Sequence, residues 1–254
     1  MKDKINILVT NDDGIRASGL RALVDILSTM GNVIVIAPEV ERSASSHSIT
    51  LNKPLRVHEY GNSWFSVTGS PADCVIMAVY GIMDNKPDIV VSGINHGPNM
   101  GEDVIYSGTV AAAIEGYILG INSIAISVTS RKNRDFTVAS SVSGMLVRKM
   151  IKKSIDDKLL LNVNIPYIGE DKFKGIKITS LGSRVYNDMI ITKKDPRGDN
   201  YYWIGGGKPG WRDEDKTDFQ AVKAGFVSVT PISLSMTDKE RIPELESWDW
   251  SNLE

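Results

Sequence analysis

The sequence predicts an α/β protein with a doubly wound, mainly parallel β-sheet. Short runs rich in isoleucine and valine recur along the first 165 residues, as expected for strands that are buried on both faces. Helical patterns alternate with these runs, which favours parallel strands joined by crossover helices. Beyond residue 165 the helical pattern fades, and this change indicates an antiparallel C-terminal extension of the sheet.

The first part of the chain alternates regularly between strands and helices. Each predicted strand is a short, continuous apolar run, and two of the predicted helices end just before a glycine, which commonly follows a helix. The predicted strands cover residues 5–10, 33–37, 88–92, 123–128 and 159–165, and the predicted helices cover residues 18–30, 71–83, 109–119 and 136–154.

Two local patterns lie between the second predicted strand and the helix that follows it. Gly61 and Asn62 separate LRVHEY from SWFSVT, a spacing that predicts a β-hairpin. Ser70, Pro71 and Asp73 then match a capping box, in which the serine caps the helix and proline takes the first helical position.

The C-terminal part contains four further strand-like segments, GIKITSL, RVYNDMIIT, YYWIGG and GFVSVTPI. Residues 193–217 are charged, aromatic and rich in glycine, so we expect a long loop or a projecting arm. Tyr201, Tyr202 and Trp203 on it are candidate anchors of a subunit interface, or alternatively groups that stack on a base. We predict one domain over residues 1–254.

The composition limits the possible partners. The 29 basic and 31 acidic residues nearly balance, which argues against a nucleic-acid groove or an anionic membrane as the main partner. We expect the single cysteine, Cys74, to be a buried apolar side chain, and we expect a cytoplasmic protein. The first apolar run is short, so we expect neither a signal sequence nor a membrane span.

Two adjacent carboxylates follow the first predicted strand. Asp12 and Asp13 precede Gly14, at the carboxyl end of the strand, where open parallel sheets bind ligands. In a turn, both side chains can point to one spot, and at about 4 Å two carboxylates repel by roughly 4 kcal/mol at an effective dielectric of 20. The pair therefore favours a hard divalent cation, and an ordinary Asx turn is the alternative.

A second polar loop follows the strand predicted at 88–92. Asn95 and Asn99 offer oxygen ligands without adding charge, and the glycines around them permit close approach of the backbone. His96 lies at the centre of this loop and is either a catalytic group or an ordinary hydrogen-bonded residue.

A third polar segment, Ser107, Gly108 and Thr109, leads into a helix of small residues. The N-terminus of a helix supplies backbone donors and the positive end of its dipole, and both stabilise a bound phosphate. The alternative is that Thr109 merely caps the helix.

The serine-rich loop 41–48 follows the second predicted strand and opens at the same edge of the sheet. Its hydroxyl groups could complete a metal shell, and Arg42 or His47 could face a phosphate; an ordinary flexible loop is the alternative. One metal-phosphate site explains all these polar loops together. The chain has no cysteine and histidine pattern for zinc, no GxGxxG motif that opens a dinucleotide-binding fold and no GxSxG motif.

Seven segments carry a resemblance to the stationary-phase survival protein SurE family of 5′/3′-nucleotidases. They occur in family order over almost the whole chain: ILVTNDDG, APEVERSASSHSIT, GSPADCV, SGINHGPNMGEDVIYSGTVAAAIEG, LNVNIP, TSLGSR and TDFQAVKAGFVSVTP. The resemblance implies a Rossmann-like core and the hydrolysis of nucleoside 5′-monophosphates, together with 3′-monophosphates.

The resemblance also implies the residues of the site. One divalent ion per subunit, Mg²⁺ or Mn²⁺, is expected on Asp12, Asp13, Ser43 and Asn95. The phosphate is expected near Asn99, Ser107, Gly108 and Thr109. The expected catalytic residues are Asp12, Asp13 and Asn95. Which group accepts the proton is left open by the sequence, with Asp13 and His96 as the two candidates.

The resemblance further implies a homodimer or homotetramer with exchanged C-terminal elements. A projecting hairpin at residues 183–205 and a tail at residues 230–254 are the expected elements. The sequence departs mildly from the family at three positions. Ser70 stands where threonine is common, and Ala111 and Ala44 stand where glycine is common, the latter beside Ser43.

Two hypotheses from another class compete with an enzyme. One is a phospho-receiver-like module, which also has paired acids after its first strand but needs an acceptor aspartate where this chain has Asn95. The other is a nucleotide-binding regulator without turnover. Metal-dependent release of phosphate from a nucleoside monophosphate distinguishes both from a nucleotidase.

Overall fold

A computed structural model describes residues 4–130, 132, 135–152, 158–168, 174–185, 190–205 and 210–250. Its strands are β1 (Asn6–Thr10), β2 (Asn32–Pro38), β3 (Val57–Gly61), β4 (Trp64–Val67), β5 (Ile89–His96), β6 (Asn122–Val128), β7 (Leu160–Ile165), β8 (Ile176–Ile178), β9 (Arg184–Val185), β10 (Ile190–Lys194), β11 (Asn200–Ile204), β12 (Gly210–Trp211) and β13 (Val227–Pro231). Its helices are α1 (Ser18–Leu27), α2 (Pro71–Met77), α3 (Asp103–Tyr106), α4 (Gly108–Ile118), α5 (Thr137–Lys152), α6 (Asp218–Lys223) and α7 (Ile242–Glu246), and Ala78–Ile82 form a π-helical turn.

Nine strands of the described chain form one mixed sheet, in the order β3-β4-β2-β1-β5-β6-β7-β13-β8. The six strands from β4 to β7 run parallel to their neighbours. Strand β3 is antiparallel to β4 at one end, and β13 is antiparallel to β7 at the other. The predicted mainly parallel α/β sheet with an antiparallel C-terminal extension is therefore confirmed.

Successive residues of the central strands face two different helical layers. Ile7 and Val9 of β1 belong to one buried cluster with residues of α1 and α5. Leu8 belongs to a second cluster with Cys74 of α2 and Ala112 of α4. Because side chains alternate along a strand, continuous apolar runs are needed to bury both faces, and this explains why the predicted strands lack a polar face.

Several local predictions are confirmed. Strands β3 and β4 form the hairpin around Gly61 and Asn62, and Ser70 caps α2 in a capping box with Asp73. Cys74 is fully buried. Two helices are shorter than predicted, because α1 ends at Leu27 and α2 gives way to the π-helical turn. Residues 153–157, which include the end of the helix predicted at residues 136–154, lie outside the described chain.

Strand β5 is longer than predicted, and this changes the setting of Asn95 and His96. Both residues were expected in a loop, but they are the last two residues of β5 and pair with β6 after an irregularity in register. Gly93 lies in this irregularity with φ of +142°, and a Cβ there would meet the backbone oxygen of Ile126 at 2.4 Å. Only glycine tolerates this approach. Gly93 therefore allows β5 to stay close to β6 through the irregularity, and the pairing resumes at Asn95 and His96.

The C-terminal part also differs in detail from the prediction. Residues 193–217 are not one loop, since they contain β11 and β12, and β11 pairs with β10 in an antiparallel hairpin whose residues are all exposed. The tail begins later than residue 230, because Thr230 and Pro231 belong to β13. Residues 186–189 and 251–254 of the predicted hairpin and tail lie outside the described chain. Among the described residues, no helix has the length and apolar character that spanning a membrane requires.

Candidate active site

The predicted polar loops meet at a cavity of about 270 Å³. It lies at the carboxyl ends of β1 and β5, where the crossover connections of a parallel sheet leave space for a ligand. The described residues that line it are Asp12, Ser43, Ala44, Asn95, His96, Gly97, Pro98, Asn99, Asp103, Tyr106, Ser107 and Arg184. The loops after β1, β2 and β5 therefore all contribute, as the sequence predicted.

Asp12 is a buried carboxylic acid directly after β1. Its side chain is 4% exposed, and Thr109 Oγ1 donates a hydrogen bond to Asp12 Oδ1 at 2.5 Å. Burial raises the pKa of Asp12 to about 6; the hydrogen bond from the Thr109 hydroxyl lowers it, and the nearby charge of Asp13 raises it. The charged form of Asp12 is thus costly unless a cation compensates it.

Asp13 is less buried and faces His96. Its Oδ2 lies 3.6 Å from His96 Nδ1 and has no hydrogen-bond partner among the described residues. Burial raises the pKa of Asp13, while the nearby charge of His96 lowers it. An orphaned carboxylate oxygen beside a second buried carboxylate fits a divalent cation, because such an ion would satisfy both groups.

The two other predicted metal ligands lie on the same cavity. Ser43 Oγ donates to Glu41 Oε1 at 2.6 Å. Asn95 Nδ2 donates to the backbone oxygen of Gly97 at 2.9 Å, so its Oδ1 is left as an oxygen ligand. The described residues contain no group of three or more histidine, cysteine, aspartate or glutamate side chains that could hold a metal. A metal here would therefore depend on hydroxyl and amide oxygens besides the two acids.

The residues at the start of α4 have two different roles. Ser107 lines the cavity, and Thr109 supports Asp12. Ser107 is the N-cap, because its side chain accepts a hydrogen bond from the backbone N–H of Val110, so the alternative that Thr109 caps this helix is wrong. Thr109 is fully buried and bonds to Asp12. A Cβ on Gly108 would lie 2.8 Å from Asp12 Cβ, so only glycine allows the helix to start this close to the acid.

Asn99 lines the cavity and is held by a buried asparagine network. Its backbone N–H donates to Asn164 Oδ1, and its backbone oxygen accepts hydrogen bonds from the side-chain amides of Asn162 and Asn164. Asn99 Nδ2 donates to Ser127 Oγ at 2.9 Å. Asn162 and Asn164 come from the LNVNIP segment of β7, so a strand two positions from β5 fixes this loop.

Two residues of the serine-rich loop do not line the cavity. His47 pairs with Glu115 at 2.8 Å, and Arg42 contributes its backbone N–H, which donates to the Asp12 carbonyl at 2.7 Å. Neither residue is among the described residues that line this cavity, and a contact of Arg42 or His47 with a phosphate stays a prediction. The loop is held beside Asp12 mainly through its backbone.

Asp103, Tyr106 and Arg184 line the cavity but were not predicted as site residues. Arg184 forms an ion pair with Asp103. The segment TSLGSR, which ends at Arg184, was noticed only as part of the resemblance. Arg184 is far in sequence from the other loops of the site, and no pattern in a single sequence predicts that residue 184 lies near the carboxyl end of β1.

A family model described as "Survival protein SurE" matches residues 7–188. The chain is 45% identical over 250 residues to a protein of Geobacter metallireducens named "5′-nucleotidase SurE", covering 98% of this chain and 99% of that protein. It is 46% identical to a Geobacter sulfurreducens protein of the same name, covering 97% and 95% of the two chains.

A solved structure supports the same relationship. The crystal structure of the SurE protein from Aquifex aeolicus superposes with a TM-score of 0.86 at 41% identity, covering 95% of this chain and 98% of that one. The matching segments include the loops that line the cavity. The chain therefore belongs to the SurE family.

Proposed function

We propose that this chain is a metal-dependent nucleotidase, which hydrolyses nucleoside 5′-monophosphates, and also 3′-monophosphates, to a nucleoside and phosphate. The observation that carries the proposal is the pair Asp12 and Asp13, in which one acid is almost fully buried and the other has an oxygen without a partner in the described chain. The names of relatives that match nearly the whole chain support the same activity.

We assign one Mg²⁺ or Mn²⁺ ion per subunit to Asp12, Asp13, Ser43 and Asn95. Carboxylate, hydroxyl and amide oxygens are the ligands that hard cations prefer. When bound, the ion would polarise a phosphoryl oxygen and make the attacking water more acidic. Thr109 supports this set, because its hydroxyl fixes the orientation of the Asp12 carboxylate.

The phosphoryl group would lie against the start of α4. Ser107 accepts a hydrogen bond from Val110, so its own hydroxyl proton can be donated to a phosphoryl oxygen. The positive end of the helix dipole and the backbone around Gly108 stabilise negative charge there. Asn99, which the asparagine network fixes, would contact the same group from the other side.

Two groups are candidates for accepting the proton of the attacking water. Asp13 has a raised pKa and an oxygen without a partner among the described residues. His96 lines the cavity, and its Nε2 is buried without a hydrogen-bond partner in the described chain. Both arrangements suit general-base catalysis, which needs a group within hydrogen-bonding reach of the water.

The alternative of a phospho-receiver-like or nucleotide-binding regulator has less support. Asn95 stands where a receiver needs an acceptor aspartate, and an amide cannot form the acyl phosphate. The named relatives are hydrolases by their names. A regulator without turnover would still bind nucleotide, so steady release of phosphate is the observation that distinguishes the two.

The variant Asp12→Asn tests the proposed function. With Mg²⁺ or Mn²⁺ present, the wild-type chain should release phosphate steadily from adenosine and guanosine monophosphates, and the variant should lose at least about 10³-fold of this rate because the amide weakens the metal site. Circular dichroism should show an unchanged fold. Near-normal turnover by the folded variant would contradict the assignment of Asp12.

We also propose a homodimer or homotetramer in the cytoplasm, with the β10–β11 hairpin and the C-terminal tail exchanged between subunits. Tyr202, Trp203 and Ile204 of β11 are more than 60% exposed, which is typical of surfaces that a partner covers. In the tail, Trp248 and Trp250 are about half exposed. The single, buried Cys74 suits a reducing compartment.

A further inference from the structure

Arg184 is the only lysine or arginine among the described residues that line the cavity. We infer that Arg184 binds the phosphoryl group of the substrate. This inference rests on the proposed function and adds a cationic side chain to the phosphate site, which otherwise consists of neutral donors. A phosphate monoester carries up to two negative charges, and the planar guanidinium group matches its oxygens in a two-point contact.

The charge distribution of the cavity requires such a cation. Asp12 and Asp103 both line the cavity, and Asp13 adjoins it through His96. A phosphate that enters this space meets carboxylates of its own sign. One divalent ion would offset Asp12 and Asp13, which leaves the charge of the phosphate itself to be compensated. Arg184 places a guanidinium at the same cavity, and because Asp103 balances its charge, a bound phosphate would share or replace this ion pair.

The ion pair with Asp103 holds the guanidinium at the cavity before any substrate arrives. The side chains of Arg184 and Asp103 are 18% and 21% exposed, so both are largely sheltered yet reach the cavity wall. A guanidinium has five N–H donors in a fixed fork, which is more than one carboxylate accepts. Arg184 can therefore exchange Asp103 for a phosphate or share its donors between the two anions.

The backbone around Arg184 is fixed to the loops of the site. Its N–H donates to Glu102 Oε2 at 2.7 Å. Two residues earlier, the N–H of Gly182 donates to Asp218 Oδ1 at 3.0 Å, and Asp218 Oδ2 accepts from the N–H of Gly101 at 2.9 Å. Asp218 is fully buried. This carboxylate ties the strand that carries Arg184 to the loop that carries Asn99, as a preorganised binding site requires.

The alternative is that the ion pair between Arg184 and Asp103 only stabilises the structure. Two variants distinguish the alternatives by their effects on phosphate affinity. The probe is inorganic phosphate, titrated calorimetrically into the full-length chain in buffer that contains Mg²⁺. Arg184→Gln should weaken phosphate binding about tenfold or more, because a charged donor is lost from a sheltered site. Asp103→Asn should weaken binding far less than Arg184→Gln or strengthen it, because it removes the anion that competes for Arg184, while the hydrogen bond from the Arg184 N–H to Glu102 is kept.

Arg184→Lys keeps the positive charge and provides a second measurement in case Arg184→Gln does not fold. It should retain part of the affinity that Arg184→Gln loses, since lysine binds phosphate as a point charge without the fork. The inference is overturned if folded Arg184→Gln binds phosphate as tightly as the wild type, or if Asp103→Asn and Arg184→Gln weaken binding equally, as a purely structural pair would.

Failure of the proposed function gives a different result. A wild-type chain that binds phosphate through Arg184 but releases none from nucleoside monophosphates, with Mg²⁺ or Mn²⁺ added, would contradict the nucleotidase and still support the phosphate-binding role. A chain that hydrolyses these substrates with unchanged KM in Arg184→Gln would support the nucleotidase and overturn the role of Arg184.

Discussion

Asp12 shows at the level of one residue how the site opposes the stability of the fold. The carboxyl group is buried, and its pKa is raised from 3.8 to about 6. Its folded pKa is above the unfolded one, so the folded chain holds this proton more tightly. The stabilising contribution of the protonated acid is complete below about pH 4 and is lost as the pH rises through about 6.

Asp12→Asn should therefore stabilise the metal-free protein at neutral pH. Since one pKa unit corresponds to about 1.4 kcal/mol and the shift is about two units, the free energy of unfolding at pH 7 should rise by roughly 3 kcal/mol. Denaturant unfolding in EDTA measures this change. The difference from the wild type should shrink towards pH 4, where Asp12 is itself neutral. A variant less stable than the wild type at pH 7 would contradict this account of Asp12.

Thr109→Val tests how the neighbouring hydroxyl acts on Asp12. The substitution keeps the size of the side chain but removes the hydrogen bond to Asp12 Oδ1, so the pKa of Asp12 should rise above about 6. Because a proton on Asp12 competes with the metal ion, the acidic limb of the profile of kcat/KM against pH should move to higher pH at limiting Mg²⁺, with a loss of about tenfold at pH 6 and less at pH 8.

Thr109→Ser is the matched control, because it retains the hydroxyl. Its pH profile should lie close to that of the wild type. If the valine variant has the wild-type profile, the hydroxyl of Thr109 does not tune Asp12, and its role is confined to packing.

At the level of elements, apolar patterns predicted the regular strands well. The differences from the prediction occur where the backbone is irregular. Five of the six parallel strands follow from their continuous apolar runs, which are typical of strands buried on both faces. The extension of β5 to His96 was missed because it depends on Gly93 and on a shift of register with β6. Apolar periodicity carries no signal for such an irregularity.

The asparagine network makes a prediction about β7. Asn164→Ala removes two hydrogen bonds to the backbone of Asn99. The free energy of unfolding should fall by about 1–3 kcal/mol, and the KM for a nucleoside monophosphate should rise because the loop of Asn99 loses its fixed position. Thermal unfolding and steady-state kinetics measure the two effects.

Asn122→Ala is a matched control for Asn164→Ala. Asn122 Oδ1 also accepts a hydrogen bond from a backbone N–H, that of Leu159 at 3.0 Å, but it lies at the start of β6, away from the cavity. The control should lose stability with an unchanged KM. An equal change of KM in both variants would mean that the network acts only through stability.

At the level of the whole molecule, the sheet topology explains which residues of the site could be predicted from the sequence and which could not. The loops after β1, β2 and β5 were predicted to converge because the carboxyl ends of parallel strands share one edge. Arg184 lies within the C-terminal part of the chain, outside the run of parallel strands, and no such rule applies there. Its approach to Asp103 depends on β9 and on Asp218, so it became visible only in the folded chain.

The proposed oligomer makes a prediction about the β10–β11 hairpin. The 27.9 kDa chain should sediment as a dimer or tetramer, and Trp203→Arg should shift it towards smaller species, because a buried interface disfavours an unpaired charge. Tyr80→Arg is the control, since Tyr80 is 75% exposed on the π-helical turn. A monomeric wild-type chain at micromolar concentration would contradict the oligomer.

The central claim is that Asp12 and Asp13 bind a divalent cation that the hydrolysis of a phosphate ester requires. The most direct measurement is phosphate release from adenosine monophosphate by wild-type protein stripped with EDTA, before and after Mg²⁺ or Mn²⁺ is restored. The account predicts that stripping abolishes the activity and that the added ion restores it. Equal rates in the stripped and the resupplied protein would contradict it.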